Sequence, residues 1–161
     1  MRSVLAVVAL LITAGIAAEG QQTKGKDAPT DEDIINMVGG RLFKLFAQFG
    51  TPEDLRTVRS EETPEMDTVL LEYGAFAFNV RQKTVQACYF LTGWKGKIKG
   101  INLGDSREQV VKALGDEYEN SEIKNDDGVH DYLWELKENG GVLWVTFDKN
   151  DRVKRVAVVL K

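Results

Sequence analysis

Few side chains in this sequence could do covalent or acid–base chemistry. His130 is its one histidine and Cys88 its one cysteine. A Ser–His–Asp arrangement needs Ser60, Ser106 or Ser121 within hydrogen-bond reach of His130, and no nucleophile elbow surrounds any of the three. Ser106 reads as a helix cap instead, with Gln109 three residues on. His130 reads as a solvated loop residue or the first residue of a strand. Cys88, flanked by Val85 and Phe90, reads as a small buried hydrophobe. One Cys and one His cannot build a zinc cage. Carboxylates are plentiful at Glu61-Glu62, Asp105, Asp116-Glu117 and Asp126-Asp127. Acid–base pairs work at a defined separation across a cleft, whereas neighbours in a loop simply solvate. Asp148-Lys149-Asn150-Asp151-Arg152 starts like a calcium loop, but Arg152 stands where an oxygen ligand is required and no Gly follows, so it reads as a hairpin turn. Gly93, Gly96 and Gly100 lack the strand–helix context of a phosphate loop. Lys95, Lys97 and Lys99 beside Trp94 read as a solvated link. The sequence therefore predicts no catalytic residue, no metal site and no cofactor.

Composition frames the rest. The chain has 161 residues, 43% hydrophobic and 29% charged, with a formal charge of -4. That suits one folded domain, or two small ones sharing a core. The acidic balance argues against nucleic acid, whose binders neutralise phosphates. Arg2, an uncharged run from Ser3 to Ala18 and small residues at its end match a secretory signal peptide over 1–18, with cleavage after Ala17 or Ala18. The alternative is an uncleaved anchor, but the run is shorter than the ~20 residues a span needs. The expectation is export, to the periplasm or the cell exterior, with no stable membrane span after cleavage. Residues 19–30, EGQQTKGKDAPT, are polar and aperiodic and predict a flexible linker.

The elements that must position any site come from an internal repeat. At an offset of 65, Val38, Gly39, Leu45, Phe46, Phe49 and Gly50 match Leu103, Gly104, Val110, Val111, Leu114 and Gly115. Each segment has a glycine, a short helix and a glycine stop in a left-handed C-cap. Thr30-Asp31-Glu32-Asp33 can start the first helix earlier, with Gly39 and Gly40 inside it or breaking it. Strands follow at Thr68–Tyr73, Phe76–Val80 and Thr84–Leu91, and again at Asp131–Lys137, Val142–Phe147 and Val153–Leu160. Val85, Cys88 and Phe90 match Val153, Val156 and Val158 at an offset of 68. The fold class read from this is α+β. Two tandem helix–three-stranded-meander units, 31–98 and 99–161, form one antiparallel sheet of about six strands, with helices on one face and the other face open.

The run Gly100–Gly115, then Tyr132-x-Trp134, Val142–Phe147, Asp148-Lys149-Asn150 and Val153-x-x-Val156, resembles the SmpA/OmlA and beta-lactamase-inhibitor-protein-like (BLIP-like) group. The match is clearest over 99–161. Members are small exported helix-plus-meander proteins that assemble outer-membrane proteins or inhibit other proteins by binding them. The resemblance implies a non-enzymatic binding role. This chain lacks the lipid-bearing Cys of the assembly lipoproteins and carries two units, which favours the tandem inhibitor-like arrangement. A small secreted or periplasmic hydrolase and a small-ligand carrier are the alternatives.

Strand alternation then names a surface. Leu143, Val145 and Phe147 should face the helices, as should Tyr132, Trp134 and Leu136. That leaves Leu70, Glu72, Tyr89, Leu133, Glu135, Trp144, Thr146 and Arg155 on the open face. Val153 and Val156 break the period and predict a bulge. The expected partner-binding residues are Trp144, Tyr89, Glu135, Arg155, Glu72 and Leu133. Trp144 is expected in water, with Glu135 and Arg155 as its cross-strand neighbours. The partner is expected to be another protein of the cell envelope or exterior.

Overall fold

The computed structural model describes residues 29–125, 129–136 and 140–161. The expected signal peptide and residues 19–28 of the expected linker lie outside the described residues. Thr30 does not belong to a linker. It caps helix α1 (Asp31–Ile35), accepting from the Asp33 amide at 3.1 Å while its own amide donates to the Asp33 carboxylate at 3.0 Å. This reciprocal pair satisfies two of the amide donors that a helix start leaves free. The chain then breaks at Gly39, which has φ +81°, and resumes as α2 (Leu42–Phe49). The third helix, α3 (Arg107–Leu114), has its own capping box between Ser106 and Gln109. Ser106 thus acts as the helix cap that its spacing to Gln109 suggested.

Eight strands follow the helices among the described residues. They are β1 (Asp54–Val58), β2 (Thr68–Glu72), β3 (Phe76–Arg81), β4 (Thr84–Phe90), β5 (Glu119–Asn125), β6 (Val129–Leu136), β7 (Gly141–Phe147) and β8 (Val153–Leu160). They form one open antiparallel sheet in the order β1-β2-β3-β4-β8-β7-β6-β5. The class is α+β, as expected, but the sheet has eight strands rather than about six. The two extra strands, DLRTV and ENSEIKN, lie at the two edges. An edge strand has one neighbour and meets water, so it needs no apolar alternation. That is why both were missed.

One face carries the core. Leu71, Phe78, Val85, Cys88, Phe90, Leu143, Val145, Phe147, Val156 and Val158 are buried there. Ile34 and Ile35 of α1, Leu45 of α2 and Val110 of α3 close over them. Phe49 meets Phe76 edge-on at 5.6 Å and Phe78 at 5.3 Å between ring centroids. Ile98 and Ile101, in the link between the halves, are wholly buried and bonded to each other through their backbones. Fully burying a side chain of this size contributes about 1.5–3 kcal/mol, which explains why this link is part of the core and not a loose tether.

The hydrogen bonds around the start of α2 recur around the start of α3. The Gly39 amide donates to Val85 and the Gly104 amide to Val153, at 2.9 and 2.8 Å. Val85 donates to Gly40 and Val153 to Asp105, both at 2.9 Å. Leu42 donates to Lys83 and Arg107 to Asp151. Each α2-side residue maps to its α3-side counterpart by adding 65, and each β4 residue maps to β8 by adding 68. Gln86 is an unpaired bulge residue between the pairs Asn79–Ala87 and Val80–Val85. Lys154 is the same between Thr146–Arg155 and Phe147–Val153, where the Val153–Val156 spacing called for one.

The helix ends differ from expectation in one respect. Gly50 has φ 78° and ψ -152°, and Gly115 has φ 91° and ψ 173°. Positive φ is as expected, but the extended ψ takes both out of the left-handed helical region into one that is essentially glycine-only. The freed carbonyls are used. The Tyr73 hydroxyl donates to the Gly50 carbonyl and the Trp134 indole to the Gly115 carbonyl, each at 3.1 Å.

Candidate functional site

Helices α1, α2 and α3 put their buried side chains into the core on one face of the sheet, and the other face is left to the strands and the short 3-10 turn Pro64–Met66, whose Met66 sulfur accepts from Arg81. Its central row follows from the strand register. Asp54 pairs with Glu72, Glu72 with Ala77, Ala77 with Tyr89, Tyr89 with Ala157, Ala157 with Trp144, and Trp144 with Leu133. A second row runs Leu70, Asn79, Ala87, Val159, Val142, Glu135. A third runs Arg155, Thr146, Asp131. The strand register thus brings Trp144, Tyr89, Glu135, Arg155, Glu72 and Leu133 onto one face, together with Leu70 and Thr146.

Their local arrangement differs from the sequence expectation. The cross-strand neighbours of Trp144 are Leu133 and Ala157, not Glu135 and Arg155. Glu135 pairs with Val142 and Arg155 with Thr146. Both charged residues are one diagonal step away, because alternation gives facing but not register. Arg155 crosses that diagonal, and its guanidinium lies 5.9 Å from the centre of the Trp144 ring, within the range of a cation–π contact. It also donates to the Thr146 hydroxyl at 3.4 Å. Glu135 is ion-paired to Lys161 instead.

Nor does Trp144 stand in water. It is half-buried, and its indole nitrogen is closed to solvent with no hydrogen-bond partner. Tyr89 and Leu133 are also half-buried, and Glu72 pairs with Arg56. Burial raises the Tyr89 phenol above its ordinary pKa, against the nearby Arg155 charge, so the phenol stays protonated and able to donate. Ala157 is 3% exposed because Tyr89 and Trp144 stand on either side of it. Those two strands are two spacings apart, about 9.5 Å. The centre of the face is an alanine floor between two aromatic walls, with Arg155 at one end.

Three buried polar atoms without partners belong to this face: Asn79 Oδ1, Asp131 Oδ1 and Trp144 Nε1. A buried polar group left unpaired costs about 1–3 kcal/mol. Asn79 and Asp131 were missing from the expected binding set. Their alternation places them on the right face, but nothing in their residue types announces an unpaired atom.

The catalytic candidates are not brought together. Cys88 is wholly buried in the core, and burial pushes its thiol up to about 12. His130 is exposed near the start of β6, opposite Phe147. The Ser60 hydroxyl accepts from the Glu62 amide. Asp148 closes the β7–β8 turn by accepting from the Asn150 and Arg152 amides at 2.8 and 3.0 Å, which is the turn chemistry its surroundings predicted. Among the described residues no group of three His, Cys, Asp or Glu is placed to hold a metal ion, and no helix is long and apolar enough to cross a membrane.

No protein-family model matches the chain, and no curated protein matches it. Its likenesses are to solved structures. An extracellular protein containing a SCP domain, from Bacillus anthracis, superposes with a TM-score of 0.59 at 16% identity over 88% of this chain. The chain spans 50% of that protein's length. A DUF4309 family protein (YjgB) from Bacillus subtilis superposes with a TM-score of 0.53 at 17% identity, over 84% of this chain and 88% of the other. At these identities the chain shares a fold with both.

Proposed function

We propose that this chain is an exported, non-enzymatic module that binds another protein of the cell envelope or exterior through the open face of its sheet. On this reading it is built from two tandem helix–meander units, 31–98 and 99–161, of the SmpA/OmlA and BLIP-like kind. The observation that carries the binding role is the centre of the face. Tyr89, Trp144 and Leu133 offer apolar area around Ala157, flanked by Arg155 and by polar atoms with no partner. Interfaces favour this mixture of Trp, Tyr and Arg inside a charged rim. The recurrence of the helix–strand bonds at offsets of 65 and 68 supports the tandem reading. The uncharged run behind Arg2, and the likeness to a protein described as extracellular, support export. A buried thiol and a solitary exposed histidine support a role without catalysis.

The test is a binding isotherm against a partner isolated by crosslinking in the native envelope. Trp144→Ala should weaken the complex by about 2 kcal/mol, the usual size of a hot-spot truncation. Lys97→Ala and Glu117→Ala should leave affinity unchanged. Because Trp144 is half-buried, far-UV circular dichroism and a melting curve accompany the measurement. Undiminished affinity in a folded Trp144→Ala variant refutes the proposal.

A further inference from the structure

The charges on the open face are not equally satisfied. Arg56 is paired with Asp54 and Glu72, and Glu135 with Lys161. Arg155 sits in mid-sheet on β8, exposed, and its contacts are the neutral Thr146 hydroxyl and the Trp144 ring. Among the described ion pairs none involves Arg155. Asp131 is on the same row but two strands away, behind Thr146, and is 2% exposed. Two aromatic polar side chains flank Arg155 at the centre of the face. The Trp144 indole nitrogen is closed to solvent, and the protonated Tyr89 phenol, in hydrogen-bond contact with the Asn79 side chain, lies close enough to feel the Arg155 charge. Arg155 is thus an exposed cation between two aromatic walls, with no anion paired to it.

The geometry points to a carboxylate of a protein partner as the missing acceptor. We propose that Arg155 is the anchor for an Asp or Glu side chain presented by that partner, with Trp144 and Tyr89 flanking it. This rests on the reading of the open face as the binding surface and names the chemistry it selects. A guanidinium held against an aromatic ring keeps its N–H edge free, and that planar fork matches a carboxylate in two parallel hydrogen bonds. Partial shielding by Tyr89 and Trp144 strengthens such a pair relative to one at the rim. A phosphate backbone is a poor alternative for a chain with a formal charge of -4. The first half of the sheet offers no equivalent, because Ala87 stands 68 residues before Arg155.

The experiment is selection from a displayed library of random dodecapeptides against the full chain and three variants, Arg155→Gln, Arg155→Glu and Trp144→Ala, each checked for folding by its melting curve. Peptides enriched on the wild type should carry Asp or Glu beside apolar residues. A synthetic copy of the best should bind Arg155→Gln at least about tenfold more weakly, as loss of a charge-assisted hydrogen bond requires. Replacing its acidic residue by the amide should cost the wild type a similar factor and the Arg155→Gln variant almost nothing. Selection on Arg155→Glu should return Lys or Arg in place of the acid. Peptides without acidic residues that bind Arg155→Glu as well as the wild type, yet lose affinity for Trp144→Ala, overturn the carboxylate assignment and leave the binding face standing. Peptides indifferent to Trp144→Ala overturn the face itself. Failure to enrich any peptide counts against both. Concentration-dependent dimerisation of the wild type that Arg155→Glu abolishes overturns the choice of partner, since the acceptor then belongs to a second copy.

Discussion

The two glycine stops make a demanding test of the backbone reading. Gly50 and Gly115 combine positive φ with extended ψ, a region that side chains with a Cβ avoid at a cost of about 1–3 kcal/mol. A Cβ built at either position meets nothing within 4 Å. The cost of Gly50→Ala or Gly115→Ala is therefore backbone strain alone, with no collision to relax and no contact to gain. Each variant should lose about 1–3 kcal/mol in urea unfolding, with an unchanged slope against denaturant. For a chain of this size the melting temperature should fall by about 2–4 °C per kcal/mol. Gly93→Ala is the control. Gly93 is outside the positive-φ set, and its Cβ would meet Ala75 at an ordinary 3.5 Å. That change should be neutral, or stabilising by about 0.4–1 kcal/mol through the unfolded chain. If both cap variants melt together with Gly93→Ala, the two stops do not hold the backbone described and the argument from them fails.

Cys88 should resist a thiol-specific disulfide reagent in the native state at about pH 8. With its thiol pushed up to about 12, the native thiolate fraction there is about 10⁻⁴, against about one quarter for an unperturbed cysteine. Labelling should accelerate steeply in urea and follow the unfolding transition, and fast labelling of folded protein would contradict the burial. Asp148 tests the turn. The Arg152 amide, with that of Asn150, lowers its pKa below 3.8 in the folded chain. The stability this contributes is present above the unfolded pKa and is lost as pH falls below about 4. Asp148→Asn should consequently lose less stability than the wild type between about pH 4 and pH 2, measured as the urea midpoint. An unaltered acid slope would exclude that role.

The parts of the fold legible in the sequence were those with a buried face on one side and water on the other. In β6, β7 and β8, Tyr132, Trp134, Leu143, Val145, Val156 and Val158 alternate with residues of the opposite face, and alternation fixed their facing. The glycine pairs at 39 and 104, and at 50 and 115, marked the helix boundaries because few other residues adopt positive φ. Residues 54–58 and 119–125 gave no such signal, since an edge strand is held by one ladder and by its backbone. The composition of the face was readable, but its solvation was not. Whether Trp144 stands free depends on where the long Arg155 side chain lies down, and that is decided by register and by a bulge at Lys154. Asp131 illustrates the same limit: its facing follows from period two, while its burial comes from its surroundings in the folded sheet.

The seam between β4 and β8 has a consequence for stoichiometry. Its pairs are Ala87–Val159, Cys88–Val158, Tyr89–Ala157 and Phe90–Val156, and under the offset of 68 the residue Tyr89 is paired with its own counterpart. If the chain is two tandem units, as proposed, an approximate dyad would pierce the sheet at Tyr89 and Ala157. Two identical halves meeting at such an axis would repeat every side chain on both sides of it, and the position of Trp144 would recur three strand spacings away, about 14 Å. One continuous chain removes that obligation. Ala77 stands where the dyad would demand a second Trp144, Ala87 where it would demand a second Arg155, and Leu70 where it would demand a second Asp131. On the tandem reading, one continuous chain through Ile98 and Ile101 leaves the open face polarised, so that a partner of the proposed kind would have one orientation and one seat.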